Sequence, residues 1–397
     1  MSTRQSLIKI SNGRVITEDR IIHHGWILVK DGIIVEIGDH DLDLPEATLI
    51  DAGGRFISPG FIDIHVHGGG GHDFMDNTVE AFLEIAQLHA RFGTTAMFPT
   101  TLTGSTEDIL KTLEIYDLAY PLNEKGAQFM GIHLEGPYFA MNQRGAQDPR
   151  YIREPDPNEY EHIVSKSSAI KRWSAAPELK GAIPFARFLK SKGILVSLAH
   201  TDAIYEEVME GFENGFSLAT HMYSGMSGVT RRNAYRYAGV IESAFLLDEM
   251  DVEVIADGSH LPAPLLKLIY KIKGPNKIAL ITDAIRAAGM PAGESIIGNK
   301  HTGLRVIVED GVSKLPDRSS FAGSVATADH LVRTMIRLAD ISLIEVIKMI
   351  TLTPARIMNI ANHKGSLTIG KDADIILFDE NIDVFATMIR GKLVHQK

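Results

Sequence analysis

Short apolar runs alternate with stretches of helical period through the middle of this chain, and that alternation limits the fold more than any other feature. Eight runs fall at residues 61–64, 95–98, 129–134, 172–175, 194–198, 218–220, 252–255 and 277–282. Helical periodicity follows most of them, at 79–91, 106–116, 182–190, 204–213 and 262–270. Eight β-α units over about 270 residues is the expected length of a (β/α)8 TIM-type barrel. A doubly wound open sheet shares the alternation, and strand number separates the two only weakly. Three further helices are expected after the eighth run, at 327–338, 343–350 and 354–359.

The two ends of the chain read differently. Residues 7–10, 26–30, 33–37 and 48–51 form strand patterns, as do 373–378, 384–389 and 392–395. Asn12-Gly13, Asp31-Gly32 and Arg390-Gly391 have the composition of tight turns. Two strand-rich ends around a long middle suggest one discontinuous small β-sandwich domain, 1–56 with 362–397, beside an α/β barrel domain at 57–361.

With no cysteine in 397 residues, a metal can be held only by histidine and carboxylate. A net charge of −10 argues against nucleic acid or an anionic membrane as the main partner. No apolar run approaches the roughly 18 residues of a membrane span. Residues 1–9 lack the apolar core of a signal peptide, so a cytoplasmic enzyme is expected.

Polar side chains cluster at the predicted strand ends. His65 and His67 end the first run; alternation along a strand puts i and i+2 on one face, so the pair leaves together. Glu135 ends the third, His200 the fifth, His221 the sixth and Asp283 the eighth. In a barrel these ends meet at one mouth, where active sites sit. Four histidines and two carboxylates there are a complete site for one or two divalent ions. Taken singly, each residue has a plainer role: a hydrogen-bonded histidine or a helix-capping acid. Six such coincidences at five strand ends favour the metal site. His133 shares the face of Glu135 and is read as orienting the site. His23, His24, His40, His162, His301, His363 and His395 fall outside the pattern and are expected to be solvated.

These residues, in this order, resemble the amidohydrolase superfamily. Pro59-Gly60-Phe61-Ile62-Asp63, His133-Leu134-Glu135-Gly136-Pro137, Thr220-His221-Met222-Tyr223, Ala256-Asp257-Gly258, Thr282-Asp283-Ala284, Ala322-Gly323-Ser324 and Thr353-Pro354-Ala355-Arg356 are similar to the N-acetylglucosamine-6-phosphate deacetylase family within it. The resemblance spans nearly the whole chain. It implies one metal on Glu135, His200 and His221, a second on His65 and His67 with Glu135 bridging, and Asp283 as a further metal ligand and the general acid–base. Zinc is the first candidate, with iron, manganese or cobalt as alternatives. It also implies a homodimer in which Arg232, in the basic stretch 230–236, reaches the phosphate of a neighbouring subunit's substrate. His260 and Ser324 are further implied substrate contacts. Two positions depart from the family. Gln147 stands where a histidine is usual, and Ser224-Gly225 stands for Asn-Ala; both are kept as substrate-binding candidates. The expected reaction is deacetylation of N-acetylglucosamine 6-phosphate, with the galactosamine isomer, another N-acyl substrate or a catalytically dead binding barrel as rivals.

Overall fold

The computed structural model describes residues 7–39 and 43–397. His40 and residues 1–6 of the polar start lie outside the described residues.

The eight expected runs are the eight parallel strands of a barrel: β1 (Phe61–Val66), β2 (Thr94–Thr101), β3 (Ile132–Glu135), β4 (Ile170–Ala175), β5 (Leu195–Leu198), β6 (Phe216–Ala219), β7 (Asp251–Val254) and β8 (Ile278–Leu280). Neighbours in sequence are neighbours in the sheet. Beyond the end of β8, backbone bonds to β1 close the ring: Asp283 N–H donates to His65 O at 2.9 Å, and His67 N–H to Ala284 O at 2.8 Å. The Asp63 carboxylate reinforces the seam by accepting from Thr282 Oγ1 at 2.5 Å. Helices cover the outside, so strands β1 and β2 are buried on both faces, which is why they read as continuous apolar runs rather than alternating ones. The three helices after β8 are Ala328–Ala339, Leu343–Ile350 and Leu352–Ile357. Helices Pro157–Lys166 and Val240–Leu246 complete units whose period was too short to read.

Both ends of the chain enter one eight-stranded sheet. Ile375–Phe378 pairs antiparallel with Phe56–Pro59, which runs parallel to Leu7–Ile16. Asn12-Gly13 is not the expected turn. The strand runs unbroken through it, with register shifts on either side of Gly13. Before this point the strand pairs with Thr48–Asp51; after it, with Phe56–Pro59. Asn12 takes the bend at φ +56°, a conformation asparagine tolerates, and its amide donates to Asp51 at 2.8 Å. A Cβ on Gly13 would sit 2.5 Å from Ile57. The dipeptide therefore switches the strand between partners instead of reversing it. Asp31-Gly32 and Arg390-Gly391 do turn, with positive φ at all four residues.

A three-stranded sheet, Gly293–Ile297, Leu304–Glu309 and Val312–Lys314, was not expected; it lies between β8 and the last helices. Its Asp310-Gly311 turn has the same left-handed pair. No helix among the described residues is long and apolar enough to cross a membrane.

Candidate metal centre

Three residues beyond the strand ends share an unusual backbone. His200, His221 and Asp283 have φ of +46°, +32° and +48°, a region that costs a non-glycine residue free energy and clusters at functional sites. The strain is held by the surrounding backbone: Asp283 N–H is fixed on His65, and its carbonyl accepts from Ser324 N–H at 2.8 Å.

Each of the four histidines has its Nδ1 side occupied. His65 Nδ1 faces Glu253 Oε2 at 3.2 Å, His67 Nδ1 faces Thr100 O at 3.2 Å, His200 Nδ1 faces Gln143 O at 2.8 Å, and His221 Nδ1 faces Ser224 O at 3.1 Å. All four partners are acceptors, so the proton belongs on Nδ1 and the lone pair on Nε2. The Nε2 atoms then converge on Glu135. Oε1 lies 3.3 Å from His65, 3.5 Å from His200 and 3.0 Å from His221; Oε2 lies 3.5 Å from His67. Asp283 Oδ1 is 3.1 Å from His67 Nε2. Two ligand groups result, His65-His67-Glu135 and Glu135-His200-His221, each with its ligand atoms within 4.8 Å of one another. Glu135 belongs to both.

The electrostatics fit a divalent cation. Burial opposes charge on Glu135 and Asp283, but the imidazoles, His65 foremost, outweigh it and hold both carboxyls below their ordinary values. Burial also opposes a charge on His65, yet Glu135 and Asp283 push its pKa up to about 10; the same pull that favours a second proton on Nε2 favours a cation on that lone pair. Two buried carboxylates thus stay ionised and draw positive charge among them. Imidazole nitrogens oriented by other acceptors and buried carboxylates are the donor set such an ion needs.

A buried ion pair beneath the site was missed in the sequence. Arg172 on β4 and Glu253 on β7 are both fully buried and bonded to each other. Arg172 also donates to Ile64 O at 3.2 Å, Ser197 Oγ at 2.9 Å and Thr220 Oγ1 at 2.8 Å. Burial opposes the charge on Glu253, but Arg172 and His65 hold its carboxyl down at about 2. Glu253 in turn orients His65 and accepts from His221 N–H at 3.2 Å. A charged residue inside an expected buried strand was the available signal. His133 lies under the site; its ring meets His65 edge-on at 4.7 Å, and its Nε2 bonds Ser174 Oγ at 2.6 Å.

The other candidates sort by position. Gln147 is buried and spent on Glu135: its amide donates to Oε2 at 2.6 Å, while its oxygen accepts from Thr103 N–H at 2.8 Å. Ser224 reaches His221 through its carbonyl. Gly225 has φ +58°, and a Cβ there would come within 2.7 Å of His200 Nδ1, so glycine leaves room for that imidazole. His260 has Nδ1 bonded to Asp257 at 2.8 Å, and its ring packs 4.6 Å from Phe321. Gln147, Ser224, Gly225 and His260 all line a cavity of about 570 Å³ that opens over Glu135 and Asp283. Ser324 and Arg232 do not line it. Ser324 is buried with its hydroxyl donating to Thr282 O at 2.5 Å. Arg232 lies on an exposed hairpin, Thr230–Arg232 with Tyr235–Tyr237, its guanidinium over the Tyr237 ring. Lys314 and Arg318 line the cavity and were not expected. Of the histidines expected to be solvated, those at 23, 24, 162, 301 and 363 are exposed, and His395 is half-buried.

The amidohydrolase family model matches residues 56–394. An N-acetylglucosamine-6-phosphate deacetylase from Lysinibacillus sphaericus is 32% identical over 372 residues, 92% of each chain. An N-acetylgalactosamine-6-phosphate deacetylase from Escherichia coli O157:H7 is 32% identical over 381 residues, 96% of this chain and 97% of that protein. Among solved structures, the Mycobacterium smegmatis N-acetyl-D-glucosamine-6-phosphate deacetylase in complex with N-acetyl-D-glucosamine-6-phosphate superposes with a TM-score of 0.90 at 26% identity, covering 98% of this chain and 99% of that one.

Proposed function

The chain belongs to the amidohydrolase family, and from that premise we propose that it hydrolyses the N-acetyl group of N-acetylglucosamine 6-phosphate, in a divalent-metal-dependent reaction. The observation that carries this reading is Glu135 shared by two histidine groups, with Asp283 beside it at the floor of a sugar-sized cavity. The names of the similar proteins supply the substrate class. A family of this kind uses a divalent metal; zinc is the identity proposed here, on the imidazole and carboxylate donors.

His65, His67, Glu135, His200 and His221 would hold the metal, one ion or two. When bound, the ion supplies Lewis acidity, which makes a hydrolytic nucleophile available near neutral pH and polarises the acetyl carbonyl. Asp283 Oδ1 takes a proton from the attacking water and gives it to the sugar nitrogen as the C–N bond breaks. The water oxygen ends on the acetyl carbon, so acetate and a free amine leave. Gln147 and the acceptors on each Nδ1 keep these atoms aimed.

His65→Ala removes one ligand of the His65-His67-Glu135 group and leaves the other group whole. Metal per subunit, measured by mass spectrometry of the purified protein, is expected to fall below wild type. Unchanged stoichiometry would mean that β1 contributes no site.

A homodimer with Arg232 reaching a neighbouring cavity is part of the proposal. The exposed hairpin, with Tyr235 74% and the adjacent Val229 58% accessible, supports it. A cytoplasmic setting is also part of the proposal, since a phosphorylated sugar does not cross membranes unaided. We assign the catalytic barrel to 57–361 and the small domain to the two ends of the chain, 1–56 and 362–397. The second reading is the galactosamine isomer, favoured by the Escherichia coli relative's name. Acetate release from the two 6-phosphates, compared by kcat/KM, tests the choice; the glucosamine isomer is expected to be the better substrate, and a preference for the other would exchange the readings.

A further inference from the structure

The cavity is electrically polarised. Among the described residues its only carboxylates are Glu135 and Asp283, both at the metal centre. Its only lysine and arginine are Lys314, at the end of the last strand of the unexpected small sheet, and Arg318, in the turn that follows. Glu309 accepts from both cations, Lys314 at 3.3 Å and Arg318 Nε and Nη2 at 3.2 Å each; Pro316 O accepts from Arg318 Nη1 at 2.6 Å, and Asp310 accepts from Lys314 at 3.0 Å. Neither acid lines the cavity. The carboxylates therefore hold the cations from behind. A lysine has three N–H donors and an arginine five, so both keep donors free after these bonds.

The turn that carries Arg318 is tightly built. Leu315 N–H donates to Ser320 O and Arg318 N–H to Leu315 O, each at 2.9 Å, and Lys314 bridges to Phe321 across its base. Arg318 itself has φ +58°, where glycine would be at ease and arginine is strained. Phe321 packs on His260, which puts the turn and that imidazole on one wall.

We propose that Lys314 and Arg318 form a cation wall within the chain that takes the anionic 6-phosphate of the substrate and sets the preference for phosphorylated over neutral sugars. This rests on the deacetylase reading above. A phosphate accepts several charge-assisted bonds at once, and a guanidinium fork held by Glu309 is already oriented for them. Arg232 on its exposed hairpin is not on this wall.

The test uses the full-length enzyme with its metal. Arg318→Gly removes the cation and relieves the left-handed backbone, so the melting midpoint is expected to hold or rise. For the phosphorylated sugar KM is expected to rise on the order of 10-fold, the loss of a charged hydrogen bond, with the loss falling on KM rather than kcat. The inhibition constant of inorganic phosphate should rise with it, and selectivity over the unphosphorylated sugar should narrow by the same factor. Arg232→Ala is measured in parallel. If Arg318→Gly keeps wild-type KM and phosphate inhibition, the proposal is overturned, and a KM effect confined to Arg232→Ala would put the anion site at the hairpin. If the wild type releases acetate from neither hexosamine phosphate, the deacetylase reading fails. Calorimetric binding of inorganic phosphate that is weakened in Arg318→Gly would then still support the cation wall, and its absence in wild type would overturn it.

Discussion

Asp283→Asn is expected to lower kcat by roughly 1,000-fold, within the range for loss of a general acid–base group, while the metal content and fold stay as in wild type. Asparagine has the shape of aspartate and fills the same place beside His67, whose Nε2 lies 3.1 Å from Oδ1 in the native site. It cannot ionise, so it cannot accept the water proton or return it to the leaving nitrogen. Asp283 is well placed for that exchange. It lines the cavity, its backbone is clamped between His65 and Ser324, and it is the last acid the substrate meets above Glu135. Because the missing step lies in the transition state, kcat and kcat/KM should fall together. Single-turnover acetate release with metal analysis on the same sample is the measurement. A near-wild-type rate in a fully metallated variant would remove Asp283 from the proton path.

The second large effect concerns stability. Arg172→Met leaves Glu253 charged and without its main partner in a fully buried position, a change that costs about 3–5 kcal/mol in comparable buried pairs. The cost should reach the site as well, because Glu253 holds His65 Nδ1 and the His221 backbone. Reduced metal retention is therefore expected alongside a lower unfolding midpoint. Glu253→Gln combined with Arg172→Met removes the stranded charge and should recover part of the loss. A double-mutant cycle in denaturant measures the coupling. Additive destabilisation, with the double variant losing the sum of the two single losses, would show that the pair does not act as a unit.

Much of the fold was legible because barrel strands, buried on both faces, leave short continuous apolar runs that end abruptly in polar residues. That abruptness carried the site too: His65, His67, Glu135, His200, His221 and Asp283 each follow or end such a run, and the structure brings all six to one mouth. What stayed hidden was of two kinds. Arg172 opens the run at 172–175 and Glu253 sits inside the otherwise apolar run at 252–255, and only packing reveals that they face each other across the barrel. The small sheet at 293–314 carries a readable hairpin, Val306 to Glu309 followed by Asp310-Gly311, but its strands lie outside the β-α alternation that marks the barrel. With the sheet went Lys314 and Arg318. Asn12-Gly13 shows the opposite error. A left-handed dipeptide permits a turn without requiring one, and here cross-strand partners used it to bend a single strand. Gln147 and Ser224 lay on the expected cavity, yet each is bonded to a metal-site side chain, through an amide in one and a carbonyl in the other. Residue identity could not reveal that.

We propose that this site is a metal-dependent deacetylase centre for a phosphorylated N-acetylhexosamine. The most direct measurement follows acetate release from N-acetylglucosamine 6-phosphate and from the unphosphorylated sugar, with metal content determined on the same sample, before chelation, after it and on stepwise return of zinc. Acetate is expected chiefly from the phosphorylated sugar, with release lost on chelation and returning in proportion to the zinc bound. A fully metallated protein that releases no acetate, or a chelated one that keeps its rate, would contradict the proposal.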